Sequence, residues 1–253
     1  MLDSASHDRG GWALFLDVDG TLLELAETPQ GVHVSPALKQ LLEDVRWRLD
    51  GALALVSGRS LANLDQLFSP LRFIASGVHG CERRTAEGQV LRPEVDAATI
   101  ARVRNQLAEF VRGHEGLLLE DKHYALAVHF RRAPEMQDEV YRIMSEVQAQ
   151  LGSVFALQAG KSVLELRPGA WTKGSSIESF MQEAPFAGRK PIFIGDDVTD
   201  EDAFAVVNAM DGLSIRVGHP SVPTRARHRL GGVSEVLRWL KSTPPVVPPP
   251  PAQ

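Results

Sequence analysis

The chain of 253 residues is 43% hydrophobic and 23% charged, with a formal charge of −5, enough for one large domain or two unequal ones. That charge leaves no basic field for a nucleic-acid backbone, and the short run Arg225-Ala226-Arg227-His228-Arg229 reads as a solvated surface face. A lone cysteine, Cys81, excludes an internal disulfide, and no membrane-length apolar run or leader pattern is visible, which points to a cytoplasmic protein.

The first element is the apolar run Ala13–Leu16, which reads as a buried strand ending in Asp17-Val18-Asp19-Gly20-Thr21. Ser35 and Pro36 open a helix as cap and first-turn residue. Ala52–Val56 is a second strand, Ser60–Phe68 a second helix and Leu71–Ala75 a third strand, running into the loop Ser76–Gly80. Strands alternating with helices predict βαβ units and a parallel sheet.

The pattern then changes. Helical spacing over Ala97–Val111 is followed by a strand-like stretch, Leu117–Arg131, interrupted at Glu120-Asp121-Lys122. A second amphipathic helix, Met136–Leu151, precedes strands at Val154–Gln158 and Ser162–Leu166. Helix–strand–strand, twice over, predicts a compact unit with its own antiparallel sheet, ending at Arg167-Pro168-Gly169. The parallel pattern resumes with strands at Lys190–Gly195 and Leu213–Val217 and a helix at Val233–Leu240; a proline-rich tail, expected to be disordered, follows. The expected fold is α/β: a Rossmann-like parallel-sheet core (1–95 and 170–242), an inserted αββαββ cap (96–169) and a tail (243–253).

The chemistry gathers where core strands end, the edge at which open α/β sheets bind ligands. Asp17 and Asp19 follow the first strand; Ser57-Gly58-Arg59 follow the second, where a hydroxyl and free amides at a helix start suit an anion. Asp196 and Asp197 follow a later strand, with Asp200 close behind. Carboxylates crowded in one crevice raise each other's pKa unless a cation joins them, and a hard divalent ion such as Mg2+ would resolve the conflict. Lys173 opens the helix after the insertion, placed to hold an attacking carboxylate and a phosphate together.

Taken in chain order, with Lys173 ahead of Asp196, these residues resemble the four motifs of the haloacid dehalogenase-like phosphatases. Narrower marks resemble the trehalose-6-phosphate phosphatases: Gly77-Val78-His79-Gly80-Cys81-Glu82, Glu120-Asp121-Lys122, His129-Phe130-Arg131, Val163 to Pro168 and Gly195 to Asp202. The resemblance implies Asp17 as nucleophile, Asp19 as acid and base, and Lys173 with Thr21, Ser57 and Gly58 at the phosphate. It implies Mg2+ held among Asp17, Asp19, Asp196, Asp197 and Asp200. The sugar would be held by Arg59, His79, Glu120, Lys122, His129, Arg131 and Glu165, with segments near 95–97 and 167–170 letting the cap rotate onto it.

Alternation over Tyr124–Arg131 places Tyr124, Leu126, Val128 and Phe130 against the cap helices. Ala125, Ala127, His129 and Arg131 fall on an open face suited to carbohydrate. The expected partner is a small sugar phosphate, with no nucleic acid or membrane; the oligomeric state stays open, with a monomer favoured. Two other readings stay open: a phosphatase of sucrose phosphate or glucosylglycerate phosphate, and a catalytically weak sugar-phosphate sensor.

Overall fold

A computed structural model describes residues 11–25, 33–94, 96–122, 124–160, 162–219 and 221–242; the expected tail at 243–253 lies outside them. The central sheet has eight strands: β1 (Trp12–Leu16), β2 (Leu53–Val56), β3 (Ile74–Gly77), β4 (Glu82–Arg84), β5 (Val90–Leu91), β10 (Lys190–Gly195), β11 (Leu213–Val217) and β12 (His228–Leu230). Their order is β12-β11-β10-β1-β2-β3-β4-β5, parallel from β12 through β3 and antiparallel beyond.

Chain order reverses at β1. One branch runs to β2 and β3, the other to β10 and β11, so the crevice lies at the carboxyl ends of β1 and β10. Leu16 pairs with Ile194, which sets the residues after each strand side by side.

Period-2 alternation divides the strand side chains between two cores. Leu14, Leu16, Leu53, Leu55, Ile192 and Ile194 pack under α1 (Pro36–Arg48), α2 (Leu61–Phe68) and α7 (Val233–Lys241). Phe15, Ala54, Val56 and Phe193 face α5 (Lys173–Phe180) and α6 (Glu201–Ala209). Ser35 caps α1 by accepting from Leu38 N at 3.2 Å, with Pro36 in the first turn.

Between β5 and α5 lies a second, antiparallel sheet of β6 (Leu118–Asp121), β7 (Leu126–His129), β8 (Phe155–Gly160) and β9 (Val163–Pro168), ordered β6-β7-β9-β8. Leu126, Val128, Leu164 and Leu166 bury one face under α3 (Ala97–Arg112) and α4 (Gln137–Leu151). On the other face the register aligns Glu120, Ala127, Glu165 and Gln158 in one row across all four strands.

Several expectations need correction. β3 begins at Ile74, because Leu71 first closes a turn by donating to the Phe68 carbonyl. The interruption after Leu117 falls later than expected: Glu120 and Asp121 are in β6, and the chain turns between Lys122 and Ala125. The face expected to be open is covered, since Ala125 and Ala127 are fully buried. Ala125 packs with Val78 and Cys81 of the core, and Tyr124 joins that cluster beside Trp171 rather than the cap helices. The basic run is only partly a solvated face, because His228 and Arg229 form β12 and Arg229 donates to the carbonyls of His219 and Val222. No helix among the described residues is long and apolar enough to cross a membrane.

Candidate active site

Asp17 follows β1 and is buried, its amide tied to the Ile194 carbonyl of β10. Asp196 follows β10. Its carboxylate lies over Gly20, where a Cβ would come 2.1 Å from Asp196 Oδ2 and where the backbone takes a φ of +77°. Both constraints call for glycine. One carboxylate oxygen each from Asp17, Asp196 and Asp200 lies within 4.8 Å of the others.

Lys173 enters the cluster from the first turn of α5. Thr172 and Ser175 form a reciprocal cap that fixes where the helix starts. From there Lys173 Nζ, buried, donates to Asp17 Oδ1 at 2.8 Å and to Asp200 Oδ1 at 2.6 Å. The other oxygen of Asp200 accepts from Asp197 N at 3.0 Å.

The electrostatics follow from burial. Desolvation pushes Asp17 well above the usual carboxylate range, reinforced by Asp200 and Asp196 and opposed by Lys173. Asp196 is pushed up to about 7 by burial and by the Asp200 charge. Burial alone would lower Lys173, but Asp17 and Asp200 override it and hold the ammonium charged. Ionised together, three carboxylates would outweigh one ammonium, and the donors are all oxygen. That set fits a hard divalent cation.

Asp19 and Asp197 stand apart from this carboxylate cluster. Both oxygens of Asp19 are gripped by Arg59, with Nε to Oδ2 at 2.7 Å and Nη2 to Oδ1 at 2.6 Å, while Arg59 Nη1 donates to Asn63 Oδ1 at 2.8 Å. Arg59 thus binds Asp19, and its charge also helps to lower the pKa of Glu120 in the cap sheet's polar row. Asp197 is exposed and caps the next turn by accepting from Val198 N at 2.7 Å. Ser57, buried at the end of β2, accepts from Arg59 N at 3.1 Å. Thr21 Oγ1 is buried without a hydrogen-bond partner among the described residues.

The inserted sheet presents its polar row to this edge. Lys122 Nζ lies 3.0 Å from Glu165 Oε2, and His79 Nε2 from the core lies 3.5 Å from the same oxygen. Glu165 Oε1 and His79 Nδ1 are buried with no hydrogen-bond partner among the described residues. Burial, then the charges of Lys122, Lys173 and Arg167, hold His79 well below the usual imidazole value.

His79 also fills the space over Gly58, where a Cβ would come 2.6 Å from its ring. Both Val78 and His79 take left-handed backbone, with φ of 49° and 51°. Glu120 accepts from His129 at 2.9 Å, which lowers its pKa. Arg131 is not gathered with these; it sits in an exposed turn past the end of β7.

Two polar neighbours of this face escaped sequence reasoning. Arg167 is buried, and its Nε donates to Gln158 Oε1 at 2.7 Å while Nη1 reaches the carbonyl of Trp171. The period-2 step from Glu165 to Arg167 was the available signal.

A parallel sheet with carboxylates at adjacent strand ends, a lysine beside them and an inserted α+β unit is the haloacid dehalogenase-like fold. A sequence model of the trehalose-phosphatase family matches residues 15–233, and the chain belongs to that family.

It is similar to a probable trehalose-phosphate phosphatase of Sinorhizobium fredii, 46% identical over 95% of this chain and 90% of that one. It is also similar to the trehalose-6-phosphate phosphatase of Escherichia coli, 42% identical over 91% and 85%. The C-terminal domain of the Candida albicans trehalose-6-phosphate phosphatase shares the fold, with a TM-score of 0.79 and 22% identity over 91% of each chain.

Proposed function

We propose that this chain hydrolyses trehalose 6-phosphate to trehalose and inorganic phosphate through an aspartyl-phosphate on Asp17. The observation that carries the chemistry is Lys173, whose buried ammonium bridges Asp17 and Asp200 beside Asp196. The substrate is supported by family membership and by what the relatives at 42% and 46% identity are named for.

An Asp17 oxygen attacks phosphorus, the phosphorus–oxygen bond to the sugar breaks, and the Asp19 carboxyl proton passes to the departing sugar oxygen. Asp19, now a carboxylate, takes a proton from the water whose oxygen attacks the aspartyl-phosphate. The bond between Asp17 and phosphorus breaks, releasing phosphate and restoring Asp17. Arg59 suits the second half of this cycle, since a guanidinium fork holds a carboxylate and gives Asp19 no proton to donate. Ser57, Lys173, Gly58 and the amides after Asp19 hold the phosphate oxygens, with Thr21 supporting the loop.

Asp17, Asp196 and the main-chain carbonyl of Asp19 would hold Mg2+, with Asp200 acting through Lys173 and Asp197 shaping the turn. When bound, the cation neutralises charge on the phosphoryl oxygens. Residues 96–169 act as a cap over the core of 1–95 and 170–242 and open to admit the sugar. There His79, Glu120, Lys122, His129 and Glu165 meet its hydroxyls. The test is phosphate release from trehalose 6-phosphate by the wild type and by Asp17→Asn, with Mg2+ and with chelator. Turnover should require both Asp17 and the metal; a fully active Asp17→Asn protein would end this mechanism.

A further inference from the structure

We propose that Gln158, held by Arg167, is a sugar contact that donates a hydrogen bond from its amide NH2 and so helps to select the substrate. This rests on the sugar-phosphate reading above and adds a residue to it. Gln158 lies on β8 in the row that also carries Glu120, Ala127 and Glu165, and it is the direct register partner of Glu165. The opposite face of this sheet is consumed by the cap's own core, so the row looks towards the catalytic edge. β8 itself lies against the turn at 198–200 that carries Asp200.

What gives Gln158 a definite chemistry is its partner. Arginine has only donors, so the Gln158 atom facing Arg167 Nε at 2.7 Å must be the carbonyl oxygen. The amide flip, usually ambiguous, is thereby fixed. The NH2 group must then point away from Arg167, and it makes no hydrogen bond among the described residues. It is half-buried, so a ligand can still reach it.

Beside it stands Glu165 Oε1, buried and without a partner among the described residues. Neighbouring strands therefore present a donor that can only donate and an acceptor that can only accept. A polyhydroxylated ring satisfies such a pair, because each hydroxyl both donates and accepts. Arg167 keeps the amide still by anchoring to the Trp171 carbonyl, just before the cap of α5. The sugar-facing amide and the helix bearing Lys173 share that anchor.

The test compares wild type, Gln158→Leu and Gln158→Glu by kcat/KM on a panel of sugar phosphates and on p-nitrophenyl phosphate. On the sugar phosphate that the wild type hydrolyses best, Gln158→Leu should lose about tenfold, the worth of one hydrogen bond. That loss should exceed the loss on p-nitrophenyl phosphate by at least about fivefold. Gln158→Glu still accepts from Arg167 but offers an acceptor beside Glu165, so it should lose more than Gln158→Leu.

Equal losses on sugar and aryl esters would overturn the proposal in favour of a structural role, as would full sugar-phosphate activity in Gln158→Leu. A wild-type ranking that puts another sugar phosphate above trehalose 6-phosphate would overturn the substrate reading alone. The Gln158 contact would then be judged on that other ester.

Discussion

Lys173→Met removes a cation shared by two buried carboxylates and keeps most of the apolar stem. Lys173, Asp17 and Asp200 are all nearly inaccessible to solvent, and the contacts of 2.8 Å and 2.6 Å leave no water between them. Taking one partner from a buried ion pair costs about 3–5 kcal/mol. In a chain of this size each kcal/mol moves Tm by about 2–4 °C.

The metal-free variant should therefore melt about 6–20 °C below the wild type. The carboxylates left behind repel one another and gain more from a divalent ion than they do with the lysine present. Saturating Mg2+ should thus raise the variant's Tm by more than it raises the wild type's. Differential scanning fluorimetry in chelator and in Mg2+ reads both effects, and turnover should fall on the order of a hundred- to a thousandfold. A variant that melts with the wild type in chelator would refute the reasoning, since Lys173 would then not be balancing that charge.

Gly20→Ala places a methyl 2.1 Å from Asp196 Oδ2 on left-handed backbone, so Asp196 must move. The Mg2+ concentration for half-maximal activity should rise on the order of tenfold or more, and an unchanged Mg2+ titration would contradict the close approach. His79 is held below the ordinary imidazole value by burial and by Lys122, Lys173 and Arg167. Below about pH 6.5 the unfolded chain gains a proton here that the folded chain refuses, so stability falls as pH falls. His79→Gln should flatten that acid slope in urea midpoints measured between about pH 7.5 and about pH 5, and equal slopes in the two proteins would contradict it.

The parallel strands were readable because strands buried on both faces are written as unbroken apolar runs between helix caps; Ala52–Val56 ahead of Ser60 is one such case. β4 was hidden because its residues, Glu82-Arg83-Arg84, are charged. Their partners are distant: Arg83 meets Glu183, Arg84 meets Asp65, and Glu82 accepts from the Leu61 amide. The edge strand β12 was hidden in the same way.

At the site, carboxylates following apolar strands were visible one by one, and the register of β1 with β10 gathered them. The Arg59 fork on Asp19 spans 40 residues and left no local mark. Alternation divided β7 correctly between two faces but carried no sign that Val78 and Cys81 cover Ala125.

The backbone at Val78 has a practical consequence for anyone improving this protein. A β-branched residue at a φ of 49° carries a local penalty of about 1–3 kcal/mol, and Ala125 and Cys81 around its side chain help to hold it there. Glycine at 78 would dissolve that tension and loosen the grip at once. A screen for heat tolerance would visit this turn early, and variants accepted there would trade ruggedness against the fixed pose of the neighbouring imidazole.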